Sequence, residues 1–96
     1  MSFQEIIHQP ATVFIDVRSP LEYKAGHYPG ARNMPLNEIR EHIAELKNLG
    51  VPLVFYCRSG ARSGSAVELL NQLGIPGIYN GGAIDELLYL TQKQMN

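Results

Sequence analysis

The stretch VPLVFYCRSGARSGSAVELLNQLG, residues 51–74, changes its pattern in the middle. VPLVFYC is the most continuous apolar run in the chain and is too short for a helix. It reads as a central strand, Leu53 to Tyr56, buried on both faces. From Arg62 onward, Ala66, Leu69, Leu70 and Leu73 recur at helical spacing and Gly74 closes the segment, so a helix follows. A strand covered on both faces needs helices above and below the sheet. The turn between the two elements holds Cys57, Arg58, Ser59 and Gly60.

Working outward, the same alternation recurs. ATVFIDV is β-branched and apolar and lies between Pro10 and Pro20, which predicts a buried strand from Thr12 to Val17. SPLEYKAG predicts a short helix, with Ser19 as cap, Pro20 in the first turn and Gly26 at the end. GHYPGARNMP is a loop with a short strand at Ala31 to Asn33. NEIREHIAELKNLG predicts a helix capped by Asn37, with Ile39, Ile43 and Leu46 as its apolar stripe and Gly50 as its stop. IPGIYNGG reads as a short strand and a turn, AIDELLYLTQKQ as the last helix, and FQEIIHQ as a short opening helix. Strands alternating with helices predict an α/β fold, a small parallel sheet flanked by helices on both faces. In such sheets ligands bind at the carboxyl ends of the strands, where Cys57 sits.

Composition bounds the function. The 96 residues make one domain, residues 1–96, with 45% hydrophobic and 18% charged residues. A net charge of −1 gives no bias toward nucleic acid or an anionic membrane. The opening MSFQEIIHQP lacks the features of a signal peptide, and no apolar run approaches the roughly 18 residues of a membrane span. The single cysteine excludes an internal disulfide and suits a reducing compartment, so a cytoplasmic monomer is expected. His8, His27 and His42 are scattered, so no metal site is expected.

The turn after the central strand carries chemistry. Gly60 lets the backbone curl, and a curled loop feeding a helix turns several N–H groups toward one point, a nest for an anion. The helix N-terminus adds partial positive charge, and Arg58 and Arg62 add full charges. A thiol held there should ionise below its ordinary pKa of about 8.5. A lone cysteine at a strand end is more often a small core hydrophobe. The flanking Arg58, Gly60 and Arg62 favour chemistry instead.

Three motifs in order resemble the rhodanese family. IDVRSPLEYKAGHYPGARNMPL is similar to its first signature, VFYCRSGARSGSAVELLNQLG to its active-site loop and following helix, and YNGG to its late double glycine. The likeness runs from about Thr12 to Gly82 and is to compact, single-domain, phage-shock-type members. It implies a rhodanese-like fold and a thiosulfate sulfurtransferase that needs no cofactor. Cys57 would be the nucleophile that carries a persulfide sulfur. Arg58, Ser59, Gly60, Ala61, Arg62 and Ser63 would line the substrate cradle, largely through backbone N–H groups. The implied partners are a small anionic sulfur donor and a thiol or cyanide acceptor, an acceptor protein's thiol included. Asp16 and Arg18 would either support the sulfur-binding loop from behind or be structural, and His27 would be a turn residue rather than a catalytic base. Many members carry a tryptophan after the double glycine, whereas this chain has GGAIDELLYL and no Trp.

Two other functions are compatible with such a loop. One is a rhodanese-like binding or regulatory module without catalysis, although those usually lack the cysteine. The other is a cysteine-dependent phosphatase or arsenate reductase. Those enzymes place five residues between cysteine and arginine, whereas Cys57 and Arg62 here are separated by four. Sulfur suits the smaller ring. Cys57 is expected at the floor of an open, shallow pocket, with both arginines lowering its pKa.

Overall fold

The computed structural model describes residues 1–96. Its centre is β3, Leu53–Cys57, all five residues of which are buried. Strand alternation sends Leu53, Phe55 and Cys57 into one apolar cluster and Val54 and Tyr56 into another. The buried, near-continuous apolar run is thus explained by two cores, one on each face of the sheet.

The neighbours of β3 are β1, Val13–Asp16, and β4, Ile78–Ala83. A two-residue strand β2, Arg32–Asn33, lies outside β1, giving four parallel strands in the order β2-β1-β3-β4. The register pairs Val13 with Leu53 and Asp16 with Tyr56, so β1 and β3 end level at the edge where the loop begins.

On the Cys57 face lie α3, Ile43–Leu49, and α4, Ala61–Gln72, which bring Leu46, Ala66 and Leu70 against Ile15, Val17 and Phe55. On the other face α1, Phe3–Ile7, and α5, Ile84–Thr91, bring Ile6, Ile7, Ile84 and Leu87 against Val54, Tyr56 and Tyr28. Burying each such large side chain contributes about 1.5–3 kcal/mol. The helix α5 is seated by Ile84, Leu87 and Leu88 with no tryptophan, while Tyr89 faces solvent. No helix is long and apolar enough to cross a membrane.

The short helix α2, Pro20–Ala25, starts as its sequence predicts, with Ser19 as cap and Pro20 in the first turn, and Glu22 completes a reciprocal capping box. The helix expected to start at Asn37 differs. Leu36–His42 is a 3-10 helix behind Pro35, without a side-chain cap, and α-helix begins only at Ile43. A period of three aligns Leu36 with Ile39 toward the core before the α-period takes over for Ile43 and Leu46. The turn expected at YNGG is also corrected, because β4 runs through both glycines to Ala83. Two strands are shorter than expected, Val13–Asp16 for residues 12–17 and Arg32–Asn33 for 31–33, while β3 runs one residue past Tyr56 to Cys57.

Candidate active site

The strand β3 ends on Cys57, and α4 begins at Ala61 after three intervening residues. Gly60 makes the join with φ of 95°, a conformation that costs other residues strain. The helix α4 has no side-chain cap and no acidic residue in its first turn. The Cys57 sulfur stands in the cap's place. Gly60 N–H donates to Sγ at 3.0 Å, and the Ser63 hydroxyl lies 3.5 Å from it. An anion is at home where a helix leaves N–H groups unpaired.

These contacts set the thiol's acidity. Burial pushes the Cys57 pKa up, but the Ser63 hydroxyl and the N–H groups of Ser63, Ser59 and Gly60 pull it down further, to about 7. Hydrogen bonds lead this shift; of the arginines expected to cause it, Arg62 adds a charge interaction with Cys57 behind them. Arg62 turns to α2, where its guanidinium donates to Glu22 at 2.7 and 3.0 Å in a bidentate pair. That pair holds the Glu22 carboxyl down at about 2. Arg58 is exposed on the loop and belongs to none of the ion pairs around the site. Ser59 and Ala61 are exposed, and Ser63 is fully buried.

The open pocket is corrected as well. Cys57 is 0% exposed, because strand alternation points Sγ into the α4-side core beneath the loop. A cleft of about 350 Å³ lined by Val17, Ser19, Pro35, Leu36, Asn37 and Arg62 opens at this edge of the sheet, without Cys57 in its wall.

Beneath the site lies a buried polar platform. Asp16, 0% exposed, accepts three donations from the Arg18 side chain, at 2.7–3.1 Å, and one from the Tyr56 hydroxyl at 2.7 Å. Arg18 also donates to the Gly26 carbonyl at 2.7 Å, and Tyr28 N–H donates to the Tyr56 hydroxyl at 2.9 Å. Burial, and donation to Asp16, hold the Tyr56 phenol above its ordinary range. Asp16 and Arg18 therefore tie β1 to the turn after α2. His27 stacks on Tyr23, and its Nδ1 lies 3.0 Å from the Tyr23 carbonyl, far from proton-transfer duty at the thiol.

Two site residues escaped the sequence reading. Glu22 is one, and its place in the Ser19 capping box emerges only in the structure. Asn80, on β4, accepts from the Ser63 hydroxyl at 2.7 Å and from Gly82 N–H at 2.9 Å, and donates to the Gly60 carbonyl at 3.3 Å. It can do so because the register skips at Gly81: Phe55 pairs with Asn80, and Tyr56 with Gly82. This β-bulge re-aims the strand. Its signal was the second glycine of NGG. No cluster of three or more His, Cys, Asp or Glu side chains is placed to hold a metal.

The profile of the family described as Rhodanese-like domain matches residues 2–83. The uncharacterized protein YqhL of Bacillus subtilis is 41% identical over 66 residues, 69% of this chain and 52% of YqhL. The thiosulfate sulfurtransferase PspE of Escherichia coli is 39% identical over 77 residues, 77% of this chain and 72% of PspE. The chain thus spans about half of one relative and under three quarters of the other. A solved structure of an E. coli rhodanese with anions superposes with a TM-score of 0.72 at 36% identity, over 78% of this chain and 89% of that one.

Proposed function

This chain belongs to the rhodanese-like domain family, and from that premise we propose that it is a sulfurtransferase in which Cys57 carries the sulfur between donor and acceptor. One observation carries the reading: the Cys57 sulfur caps α4, and its pKa falls to about 7 although the residue is buried. A structural core thiol is pushed upward by burial alone. Here donated hydrogen bonds overcome that penalty, which suits a nucleophile at neutral pH.

The donor is thiosulfate, by analogy with PspE. The Cys57 thiolate attacks its outer sulfur. The Sγ–S bond forms as the donor's S–S bond breaks, and sulfite leaves with the electron pair. The new terminal sulfur bears negative charge, which inward N–H groups favour. With no second cysteine in the chain, no internal thiol displaces it. Cyanide or an external thiolate attacks the terminal sulfur, and the electron pair returns to Sγ. Arg62 is committed to Glu22 rather than poised over the sulfur, which disfavours the phosphatase alternative.

Intact-mass measurement after thiosulfate treatment tests this. One added sulfur is expected on the wild type and none on Cys57→Ser, with cyanide or a thiol removing it. Full turnover in folded Cys57→Ser, or turnover without any sulfur-loaded protein, would overturn the relay.

A further inference from the structure

The Ser63 hydroxyl has one proton and two acceptors within reach. Asn80 Oδ1 lies at 2.7 Å and Cys57 Sγ at 3.5 Å. Asn80 cannot turn away easily. Its oxygen is fixed by the Gly82 N–H and its nitrogen by the Gly60 carbonyl. The shorter contact wins while the sulfur is a neutral thiol, a weak acceptor. A thiolate reverses the preference, because hydrogen bonds to charged acceptors are about twice as strong as neutral ones.

We propose that Asn80 is a positioning residue that competes with Cys57 for the Ser63 hydroxyl proton, so that the hydroxyl swings to the sulfur whenever the sulfur becomes a thiolate. On the sulfurtransferase reading this happens twice per cycle. The hydroxyl steadies the attacking thiolate, is released to Asn80 once Sγ is bonded to the transferred sulfur, and returns as Sγ leaves. Asn80 therefore keeps the resting thiol less acidic than Ser63 alone would make it. The charged groups around Cys57 act on it without involving the Ser63 proton: Arg62 attracts the thiolate by charge even while paired with Glu22. Asp16 and Arg18 at the end of β1 are paired, as are Glu22 of α2 and Arg62 of α4. Arg58, Asp85 and Glu86 are exposed.

The test reads the resting thiol and needs no sulfur donor, so it stands apart from the sulfur-loading experiment. The pH dependence of iodoacetamide alkylation is measured for wild type, Ser63→Ala, Asn80→Leu and the double variant. Leucine fills the space of asparagine without an acceptor. Loss of a hydrogen bond to the thiolate should raise the midpoint of Ser63→Ala by about one pH unit. Loss of the competitor should lower that of Asn80→Leu by about half a unit. The double variant should match Ser63→Ala. A merely structural Asn80 gives the opposite sign, because a loosened loop withdraws the Gly60 N–H and the midpoint rises. A rise or no change in Asn80→Leu, or a shift that persists without Ser63, overturns the proposal. If Asn80→Leu does not fold, Asn80→Asp replaces it. Its carboxylate raises the midpoint. The rise is larger with Ser63 present than in the Ser63→Ala background if the proton is shared, and equal in the two if only charge acts.

Discussion

Hydrogen bonds to the Cys57 sulfur bring its folded pKa down to about 7, into the neutral range. Alkylation should therefore rise with pH to a plateau with its midpoint near 7, and fall about tenfold per unit below it. Arg62→Ala should move that midpoint by less than about half a unit, since its charge is already matched by Glu22. An upward shift of a full unit or more would show that the guanidinium acts on the sulfur directly. Glu22→Gln makes the converse case. It frees a cation beside the loop, so kcat/KM for thiosulfate should rise several-fold by steering a dianion. The partly exposed pair contributes about 0.5–1 kcal/mol of stability. With the carboxyl held at about 2 against 4.5 unfolded, that contribution is full above pH 4.5 and fades as the pH falls through 2. Unchanged steady-state kinetics in Glu22→Gln would remove Arg62 from donor recognition. The thiol, Gly60 and the cationic composition of the loop were legible in the sequence. The direction in which Arg62 points was not, because its partner is forty positions away in sequence.

The elements were mostly legible where local chemistry dictates them. Ser19, Pro20 and Gly26 announce α2, and the continuous apolar run announces β3. Consecutive glycines are ambiguous, because they suit a turn and a bulge equally. The structure resolves YNGG as a bulge, and its cost of substitution follows from space rather than from φ alone. A Cβ at Gly81 would lie 2.7 Å from Val54 Cγ1 and 3.2 Å from the Phe55 carbonyl. Gly81→Ala should therefore cost about 1–3 kcal/mol by overpacking. It should also disturb thiol acidity by displacing Asn80. Gly60→Ala meets both obstacles, φ of 95° and Gly82 Cα at 3.2 Å. It should raise the thiol midpoint as the N–H leaves the sulfur. Thermal melts and alkylation profiles of the two variants check this. Wild-type values for Gly81→Ala in both would mean that the close approach of β4 to β3 can be relaxed without consequence.

Across the whole molecule, two apolar cores meet through a sheet whose carboxyl edge is braced by charge. The continuous apolar run of β3 and the strand–helix order were enough to predict helices on both faces. They could not predict that Tyr56, one residue before the cysteine, would reach Asp16, because that needs the β1–β3 register. The brace is demanding. Asp16 is wholly buried and Arg18 is 6% exposed, so removing either partner leaves the other uncompensated. Arg18→Ala should cost about 3–5 kcal/mol, a large share of the roughly 5–15 kcal/mol typical of a domain. Arg18→Lys should recover little, because one ammonium cannot span both Asp16 oxygens and the Gly26 carbonyl as the guanidinium does. Tyr56→Phe removes only a hydroxyl that donates to Asp16 and accepts from Tyr28 N–H, and should cost about 1–3 kcal/mol. Urea unfolding of the three variants gives the order. The Cys57 midpoint in the folded state should stay near 7 throughout, because Tyr56 and Cys57 face opposite cores. Equal stability of Arg18→Ala and Tyr56→Phe would mean that water enters to solvate Asp16, and that the edge of the sheet is not braced by the ion pair.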